Sequence, residues 1–272
     1  MEPMKRRLQS NGISLAYEER GSGDPLVLIM GLGAPGSVWE LHALEYEKQF
    51  RCFLVDNRGA GDTGKPDDPY TTAQMADDYA GLIYGLNLGR VRVAGISMGG
   101  AIAQELALRH PGLVRSMALV CTWARCGFYM RTVFEHFAKM RALSSPEDFV
   151  QLLQLWIWTP AWMDAHADEI VAAQRESAEA AARGEWMPLK AFEAQCQACI
   201  HHDTRQRLRQ IGAPVLLTAG SDDIFVPMRC AEELHRSIAG SELRVFEGWG
   251  HVHHWESLEE FNRVTADWLL AH

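Results

Sequence analysis

Short apolar runs alternate with longer stretches of helical periodicity along the first 122 residues of the chain. The runs are rich in Val, Leu and Ile, as strands are when both faces of a parallel sheet are covered. They occupy residues 26–30, 52–56, 91–96 and 114–121. The stretches between them predict helices over 37–50, 71–88 and 98–110. Ahead of the first run, residues 5–19 predict a β-hairpin turning at Ser10-Asn11-Gly12.

This alternation breaks off in the middle of the chain. Residues 123–205 contain no convincing strand and are rich in Ala, Met, Trp and Phe at helical spacings. The alternation then resumes with strands at 213–219 and 243–246 and helices at 228–239 and 256–270. We therefore predict an α/β core formed by residues 1–122 and 206–272, with residues 123–205 as a helical cap inserted between two strands.

Composition and charge narrow the possible partners. Of 272 residues, 47% are hydrophobic and 22% charged, and the net charge is −9. Nucleic acid and anionic membranes require a basic face, so neither is an expected partner. No signal peptide and no bilayer-spanning run is apparent, which predicts a cytoplasmic protein, either a monomer or a homodimer.

The six cysteines are expected to be reduced thiols. Cys196 and Cys199, followed by His201 and His202, have spacing that could suggest zinc. However, residues 191–200 predict one continuous helix, whereas a structural zinc site needs a turn between its ligand pairs. We therefore interpret these cysteines as core residues and predict neither a metal nor a cofactor.

The sequence Gly95-Ile96-Ser97-Met98-Gly99 lies between the predicted strand 91–96 and the predicted helix 98–110. Residues without β-carbons let strand and helix approach closely and leave the serine hydroxyl free at the tip of a sharp turn. The N-terminus of the helix adds N–H groups that favour a developing negative charge. The pattern predicts that Ser97 is a nucleophile; the alternative is that it only caps the helix.

A serine nucleophile needs a base, and the base needs an orienting acid. In a parallel sheet these groups lie in loops after the carboxyl ends of strands. The loop after strand 213–219 offers Asp222 and Asp223, and the loop after the last strand offers His251. Either aspartate could instead cap the following helix. The order Ser, Asp, His is that of the α/β-hydrolase triad.

On these motifs the chain resembles the α/β-hydrolase family along nearly its whole length. The resemblance implies an eight-stranded, mostly parallel sheet flanked by helices, with a helical cap. The family's Gly-x-x-Asp-x-x-x-Pro spacing selects Asp223, and its Gly-His step selects His251. The family's Arg-Gly-x-Gly-x-Ser loop is matched by residues 58–63, with Thr63 in place of Ser. Asp56 and Asp62 belong to that loop, which is expected to shape the fold.

The resemblance also implies an oxyanion hole made of two backbone N–H groups. Met98, the residue after the nucleophile, would supply one, and Leu32 the other. Relatives often carry His-Gly-x where this chain has Met30-Gly31-Leu32. Backbone donors do not depend on the side chain, so this departure leaves the predicted hole intact.

An acyl pocket is predicted beneath the insertion. Its tentative lining consists of Trp123, Phe134, Trp156, Trp158, Val226 and Val252. For most of the aromatic residues of the insertion, membership of the insertion's own core is the favoured interpretation. We predict that other histidines lie at the surface: His110, His136 and His235 in or beside helices, and His254 as a solvated residue.

The resemblance is to esterases and 3-oxoadipate enol-lactonases, on residues 55–61 and 97–107. It implies a serine hydrolase acting on small to medium, fairly apolar esters, extending to lactones. Carbon–carbon bond hydrolases and cofactor-free perhydrolases share the same triad and are alternatives. Epoxide hydrolases and haloalkane dehalogenases carry Asp where this chain has Ser97. A non-catalytic, receptor-like ligand-binding member of the fold is a further alternative.

Overall fold

The computed structural model describes residues 5–272, in which eight strands form one sheet. The strands are β1 (Arg6–Ser10), β2 (Ile13–Gly21), β3 (Asp24–Ile29), β4 (Phe50–Val55), β5 (Val91–Ile96), β6 (Val114–Val120), β7 (Val215–Gly220) and β8 (Glu242–Phe246). Their order across the sheet is β1-β2-β4-β3-β5-β6-β7-β8. The pairs β1–β2 and β2–β4 are antiparallel, and all the other pairs are parallel. The predicted fold class, an α/β-hydrolase sheet, is confirmed.

Helices cover both faces of this sheet. Those of the core are α1 (Glu40–Tyr46), α2 (Thr72–Gly85), α3 (Met98–Arg109), α9 (Arg229–Ser237), α10 (His253–Glu256) and α11 (Leu258–Ala271). One apolar cluster packs under α2 and α3, and a second lies on the opposite face under α1 and α11. Among residues 5–272, no helix combines the length and the hydropathy needed to cross a bilayer.

Element boundaries differ from the predictions at several points. The predicted helix 37–50 is a short 3-10 turn at Gly36–Trp39 followed by α1, and Phe50 already begins β4. The C-terminal helix is two helices, α10 and α11, separated at Ser257. Such ends depend on capping and tertiary contacts that the hydrophobic pattern does not contain.

A helical insertion lies between β6 and β7. Its helices are α4 (Phe128–Leu143), α5 (Pro146–Ile157), α6 (Pro160–Ala165), α7 (Ala167–Ala182) and α8 (Leu189–His201). The two ends of the insertion meet in an antiparallel bridge between Arg125 and Asp203, and the N–H of Thr204 donates to the carbonyl of Ala124. This neck lies near the predicted boundaries at 122 and 206, which remain predictions.

The cysteines are buried thiols, and Cys196 and Cys199 lie on the single helix α8, as the sequence indicates. Burial raises the pKa of the Cys199 thiol well above its usual range, with a smaller contribution from Cys196 and Cys126. Both thiols therefore pack as small apolar side chains.

Candidate active site

Ser97 lies at a sharp turn between β5 and α3. Its φ of 55° and ψ of −115° are unusual for a residue that carries a side chain. A Cβ added to Gly99 would overlap the carbonyl oxygen of Ile29, and one added to Gly95 would overlap the carbonyl of Gly99. The two glycines therefore meet the steric requirement that the sequence motif predicts. Strain of this kind costs about 1–3 kcal/mol and is held by the surrounding packing.

The structure brings the three predicted side chains together. The Oγ of Ser97 lies 3.2 Å from Nε2 of His251, and Nδ1 of His251 lies 2.8 Å from Oδ2 of Asp223. All three residues are buried. A carboxylate can only accept, so Nδ1 carries the proton toward Asp223, and Nε2 is left to accept from the serine hydroxyl.

Backbone donors fix the carboxylate of Asp223. Its Oδ1 accepts from the N–H groups of Phe225 and Val226, each at 2.8 Å, and this leaves Oδ2 for His251. Asp222 is exposed and accepts instead from the hydroxyl of Ser221. Of the two aspartates, only Asp223 is therefore in contact with the imidazole.

The charge state of His251 depends on opposing effects. Burial disfavours the imidazolium, whereas the carboxylate of Asp223, which lies 2.8 Å from Nδ1, favours it. Burial also raises the pKa of the Cys121 thiol, which is therefore uncharged at neutral pH. Asp223 is thus the charge that stabilises the imidazolium, as required of a base that holds a proton during a reaction.

The predicted oxyanion donors lie on either side of Ser97. Met98 is the first residue of α3, and a Cβ added to Gly31 would lie 3.4 Å from Cβ of Ser97, so the loop containing Leu32 runs directly beside the serine. Within residues 5–272, the N–H groups of Leu32 and Met98 have no acceptor in the protein. Two unpaired backbone donors beside a nucleophile can stabilise a tetrahedral oxyanion.

This geometry agrees with a comparison of sequences. A family model described as alpha/beta hydrolase fold matches residues 24–258.

The chain belongs to the α/β hydrolase fold family.

Curated relatives and solved structures extend over nearly the whole of this α/β hydrolase. The protein named "Putative carbamate hydrolase RutD" from Serratia proteamaculans (strain 568) is 30% identical, covering 93% of this chain and 95% of that protein. The enol-lactonase from Burkholderia xenovorans LB400 has a TM-score of 0.87 and 25% identity, covering 98% of this chain and 100% of its own. The esterase EaEST from Exiguobacterium antarcticum shares the fold, with a TM-score of 0.84, 24% identity and coverage of 98% and 99%.

The predicted pocket residues fall into different surroundings in this α/β hydrolase. The ring of Phe225 lies 4.7 Å from that of His251, and Phe134 packs on Phe225 at 5.3 Å. Trp123 is fully buried behind Phe134, two rings away from the histidine. Phe134 and Trp123 are members of the larger apolar cluster. That these residues line an acyl pocket remains a prediction.

The other four pocket candidates contact different neighbours. Trp156 packs against Phe137 and also lines a groove of about 330 Å³ on the insertion. Trp158 stacks between Trp162 at 4.0 Å and Trp255 at 5.8 Å. Val226 and Val252 are both buried. Val252 directly follows His251, and Val226 donates its N–H to the carboxylate of Asp223.

The prediction that His254 is solvated is wrong. His254 is fully buried, with its Nδ1 at 3.1 Å from Nε2 of His42, and Nδ1 of His42 lies 2.6 Å from Oδ1 of Asn262. Nε2 of the neighbouring His253 lies 3.0 Å from the hydroxyl of Thr218. Burial lowers the pKa of His42 to about 4 and that of His253 to about 3, and it also lowers the pKa of His254 well below its usual value. These residues form a neutral histidine cluster on the side of the sheet that carries α1 and α11.

The loop 56–63 has the structural role that the sequence indicates. Oδ1 of Asp56 accepts from the N–H of Gly36 at 2.7 Å, and the side-chain amide of Asn57 donates to the carbonyl of Met30 at 2.7 Å. Arg58 forms a buried, two-pronged ion pair with Asp78 at 2.9 and 2.6 Å. The contacts of Asp56 and Asn57 tie both ends of the loop that contains Leu32 to the loop 56–63.

Two residues that contact the site loops were not predicted. Phe225 packs directly on the ring of His251, and Cys121 lies at the end of β6 with φ of 41°, beside the triad. Phe225 is two residues from Asp223 in the same loop, so its position near the triad could be predicted from the sequence. No local pattern indicates Cys121, because its position follows from the pairing of β6 with β5 and β7.

Proposed function

We propose that this α/β hydrolase cleaves carboxylic esters through an acyl-enzyme on Ser97. The observation that carries the proposal is the continuous contact from Ser97 Oγ through His251 to Asp223, at 3.2 and 2.8 Å. Leu32, in the loop beside Ser97, and Met98, which follows it in sequence, have N–H groups without an acceptor among residues 5–272. A nucleophile, a base, an acid and oxyanion donors are the complete set that acyl transfer requires.

The proposed reaction proceeds in two halves. The Ser97 hydroxyl gives its proton to Nε2 of His251 while its Oγ bonds to the ester carbonyl carbon, and the carbonyl oxygen takes the negative charge against the N–H groups of Leu32 and Met98. When the C–O bond to the alcohol breaks, the imidazolium gives that proton to the leaving oxygen. Water then attacks the acyl-enzyme by the same route, which releases the acid and restores Ser97.

The preferred substrate class is a small to medium ester with a fairly apolar acyl group. Supporting this, Phe225 packs on His251 and is itself contacted by Phe134 and Phe137, each at 5.3 Å. Apolar and aromatic residues around a few polar groups are typical of sites for apolar ligands.

A second candidate for the substrate is a lactone or a carbamate. The similar solved structures include an enol-lactonase, and the sequence relatives include proteins named as carbamate hydrolases. Both reactions use the same serine attack on a carbonyl carbon, so the triad alone does not separate them. Turnover of a lactone and an alkyl carbamate beside matched p-nitrophenyl esters ranks the candidates by kcat/KM.

Replacement of Ser97 by Ala tests the proposal. We expect hydrolysis of p-nitrophenyl acetate and butyrate to fall by at least about 10⁴-fold, because the reaction loses its nucleophile. The thermal transition should be retained, since the substitution removes a single buried oxygen. Turnover in Ser97→Ala equal to that of the unaltered protein would refute the proposal, and a wild-type chain without turnover would favour a binding protein.

A further inference from the structure

The helical insertion is joined to both loops of the proposed reaction centre by buried polar side chains. One is Gln195 on α8, which is fully buried. The other is Glu256 on α10, which is 9% exposed and contacts the insertion at Thr159. Polar groups this deeply buried are stable only when their hydrogen bonds are satisfied, so their partners define what they hold together.

Gln195 joins the insertion to the loop of the predicted oxyanion donor. Its Oε1 accepts from the N–H of Gly33 at 2.9 Å, and its Nε2 donates to the carbonyl of Arg58 at 2.8 Å. Gly33 directly follows Leu32, so this contact fixes the peptide next to the proposed donor. A ring atom of Phe192, from the same helix, lies 3.0 Å from where a Cβ on Gly33 would be. We call this set of contacts the Gln195 link.

Glu256 joins the insertion to the loop of the proposed base. Its Oε1 accepts from both the N–H and the hydroxyl of Thr159, each at 2.8 Å, and its Oε2 accepts from the N–H of Gly250 at 2.6 Å. Gly250 directly precedes His251. The N–H of Val252, on the other side of His251, donates to the carbonyl of Ile157 at 3.2 Å. The residues on either side of His251 are thus both tied to residues 157–159, and we call these contacts the Glu256 link.

We propose that Gln195 and Glu256 are positioning residues, through which the helical insertion sets the placement of the Leu32 N–H and of the His251 imidazole. The inference rests on the proposed ester hydrolysis. Neither side chain touches the reacting atoms: each acts on a peptide adjacent to a reacting group. In this arrangement the insertion is part of the machinery that orients the reaction, in addition to any role in covering the substrate.

The variants remove the contacts of the two links in steps. Glu256→Gln places an amide N–H where one carboxylate oxygen accepted, while the other oxygen still accepts. Thr159→Val keeps the side-chain volume and removes the hydroxyl, which donates to Glu256 at 2.8 Å and accepts from the N–H of Trp162 at 3.4 Å at the start of α6. Gln195→Glu keeps the acceptor for Gly33 and loses the donor to Arg58, whereas Gln195→Met loses both. Glu259→Gln and Gln197→Met are the matched controls, because both residues are exposed, on α11 and α8 respectively.

The readout is kcat per active site, obtained by titrating each preparation with a fluorophosphonate and measuring p-nitrophenyl butyrate turnover. We expect kcat to fall roughly 10- to 100-fold in Glu256→Gln and Gln195→Met, since displacement of a reacting group by about 1 Å costs on that order. Thr159→Val and Gln195→Glu should lose about threefold, with KM changing less than kcat. Glu256→Gln should also shift the pH at which kcat/KM rises, because it changes the position of the His251 imidazole. Gln195→Met should leave that pH unchanged.

A purely structural role gives a different result. It would lower the melting temperature and the titrated fraction of active sites, while kcat per active site stayed within twofold of the unaltered protein, and that outcome would overturn the inference. If Glu256→Gln or Gln195→Met does not fold, the same criterion applies to Thr159→Val and Gln195→Glu. Absence of fluorophosphonate labelling in the unaltered chain would instead overturn the proposed function, so the two failures are distinguishable.

Discussion

Helix α3, behind Ser97, and helix α7, in the insertion, differ in how much of each is buried. Ten of the twelve residues of α3 are buried, against two of the sixteen in α7. In α3 nearly every side chain meets another part of the chain, so the start of the helix is fixed beside the serine. In α7 only Ile170 and Gln174 are held by such packing. The proposed nucleophile therefore lies against the more constrained of the two helices, and α7 has more freedom to vary.

The largest contrast is expected between two adjacent aspartates of the core. Asp223→Asn should lower kcat/KM roughly 10⁴-fold, since an amide facing His251 favours the wrong tautomer of the imidazole. Asp222→Asn is the matched control, because Asp222 is exposed and its carboxylate accepts from the hydroxyl of Ser221. Its activity should stay within twofold. Kinetics with p-nitrophenyl butyrate measure both, and equal losses in the two variants would contradict the assignment of the acid.

Acid should destabilise the core through its buried histidines. The pKa of His42 lies at about 4 and that of His253 at about 3, against 6.5 in an unfolded chain. Below pH 6.5 the unfolded state binds more protons, so the free energy of unfolding falls as the pH falls toward 4. Each such histidine contributes a slope of up to about 1.4 kcal/mol per pH unit.

Urea unfolding between pH 7.5 and 4.5 checks this slope. His254→Gln should make it shallower, whereas His136→Gln, an exposed residue on α4 of the insertion, should not change it. A slope unaffected by His254→Gln would contradict a contribution of His254 to the acid sensitivity.

Substituting a glycine should destabilise the protein more beside Ser97 than in the insertion, and this contrast is smaller than the preceding ones. A Cβ on Gly99 would overlap the carbonyl of Ile29, so Gly99→Ala should cost at least about 3 kcal/mol. Gly184, in the insertion, has φ of 75° with open space around it, so Gly184→Ala should cost only about 1–2 kcal/mol of backbone strain. Thermal unfolding of the two variants provides the comparison. A larger loss at Gly184 would reverse the proposed order of constraint.

The smallest effect is expected at the predicted acyl pocket. Trp156→Ala should alter the ratio of kcat/KM for p-nitrophenyl octanoate to that for the acetate by roughly three- to tenfold, because it removes apolar contact. Trp268→Ala is the control, since Trp268 lies on α11 and donates to Glu242. If the ratio is unchanged in Trp156→Ala, this tryptophan belongs only to the fold of the insertion.

The parts of the molecule that the sequence predicts are those with local signals. The strand-to-helix turn at Ser97 has its glycines within two residues, and Asp223 and His251 each follow a strand that the apolar pattern predicts. The order of these loops along the sheet edge then follows from parallel topology. This is why the core and the three-residue contact could be predicted from the chain alone.

The remaining features depend on contacts between distant positions. Gln195 and Gly33 are 162 residues apart, and Glu256 and Thr159 are 97 apart, so no local pattern marks either pair. The burial of His254 was missed for the same reason, because its partner His42 lies 212 residues away. The packing of α4 to α8 on the core decides which aromatic side chains approach His251, and helical periodicity contains no information about that packing.

The central claim, that Ser97 is the nucleophile, is tested most directly by covalent labelling. The unaltered protein and Ser97→Ala are each treated with a fluorophosphonate, digested and analysed by mass spectrometry. We expect one adduct per chain on the peptide containing Ser97, formed faster as the pH rises through the pKa of His251, and no adduct in Ser97→Ala. An adduct on another residue, or equal labelling of the two proteins, would contradict it.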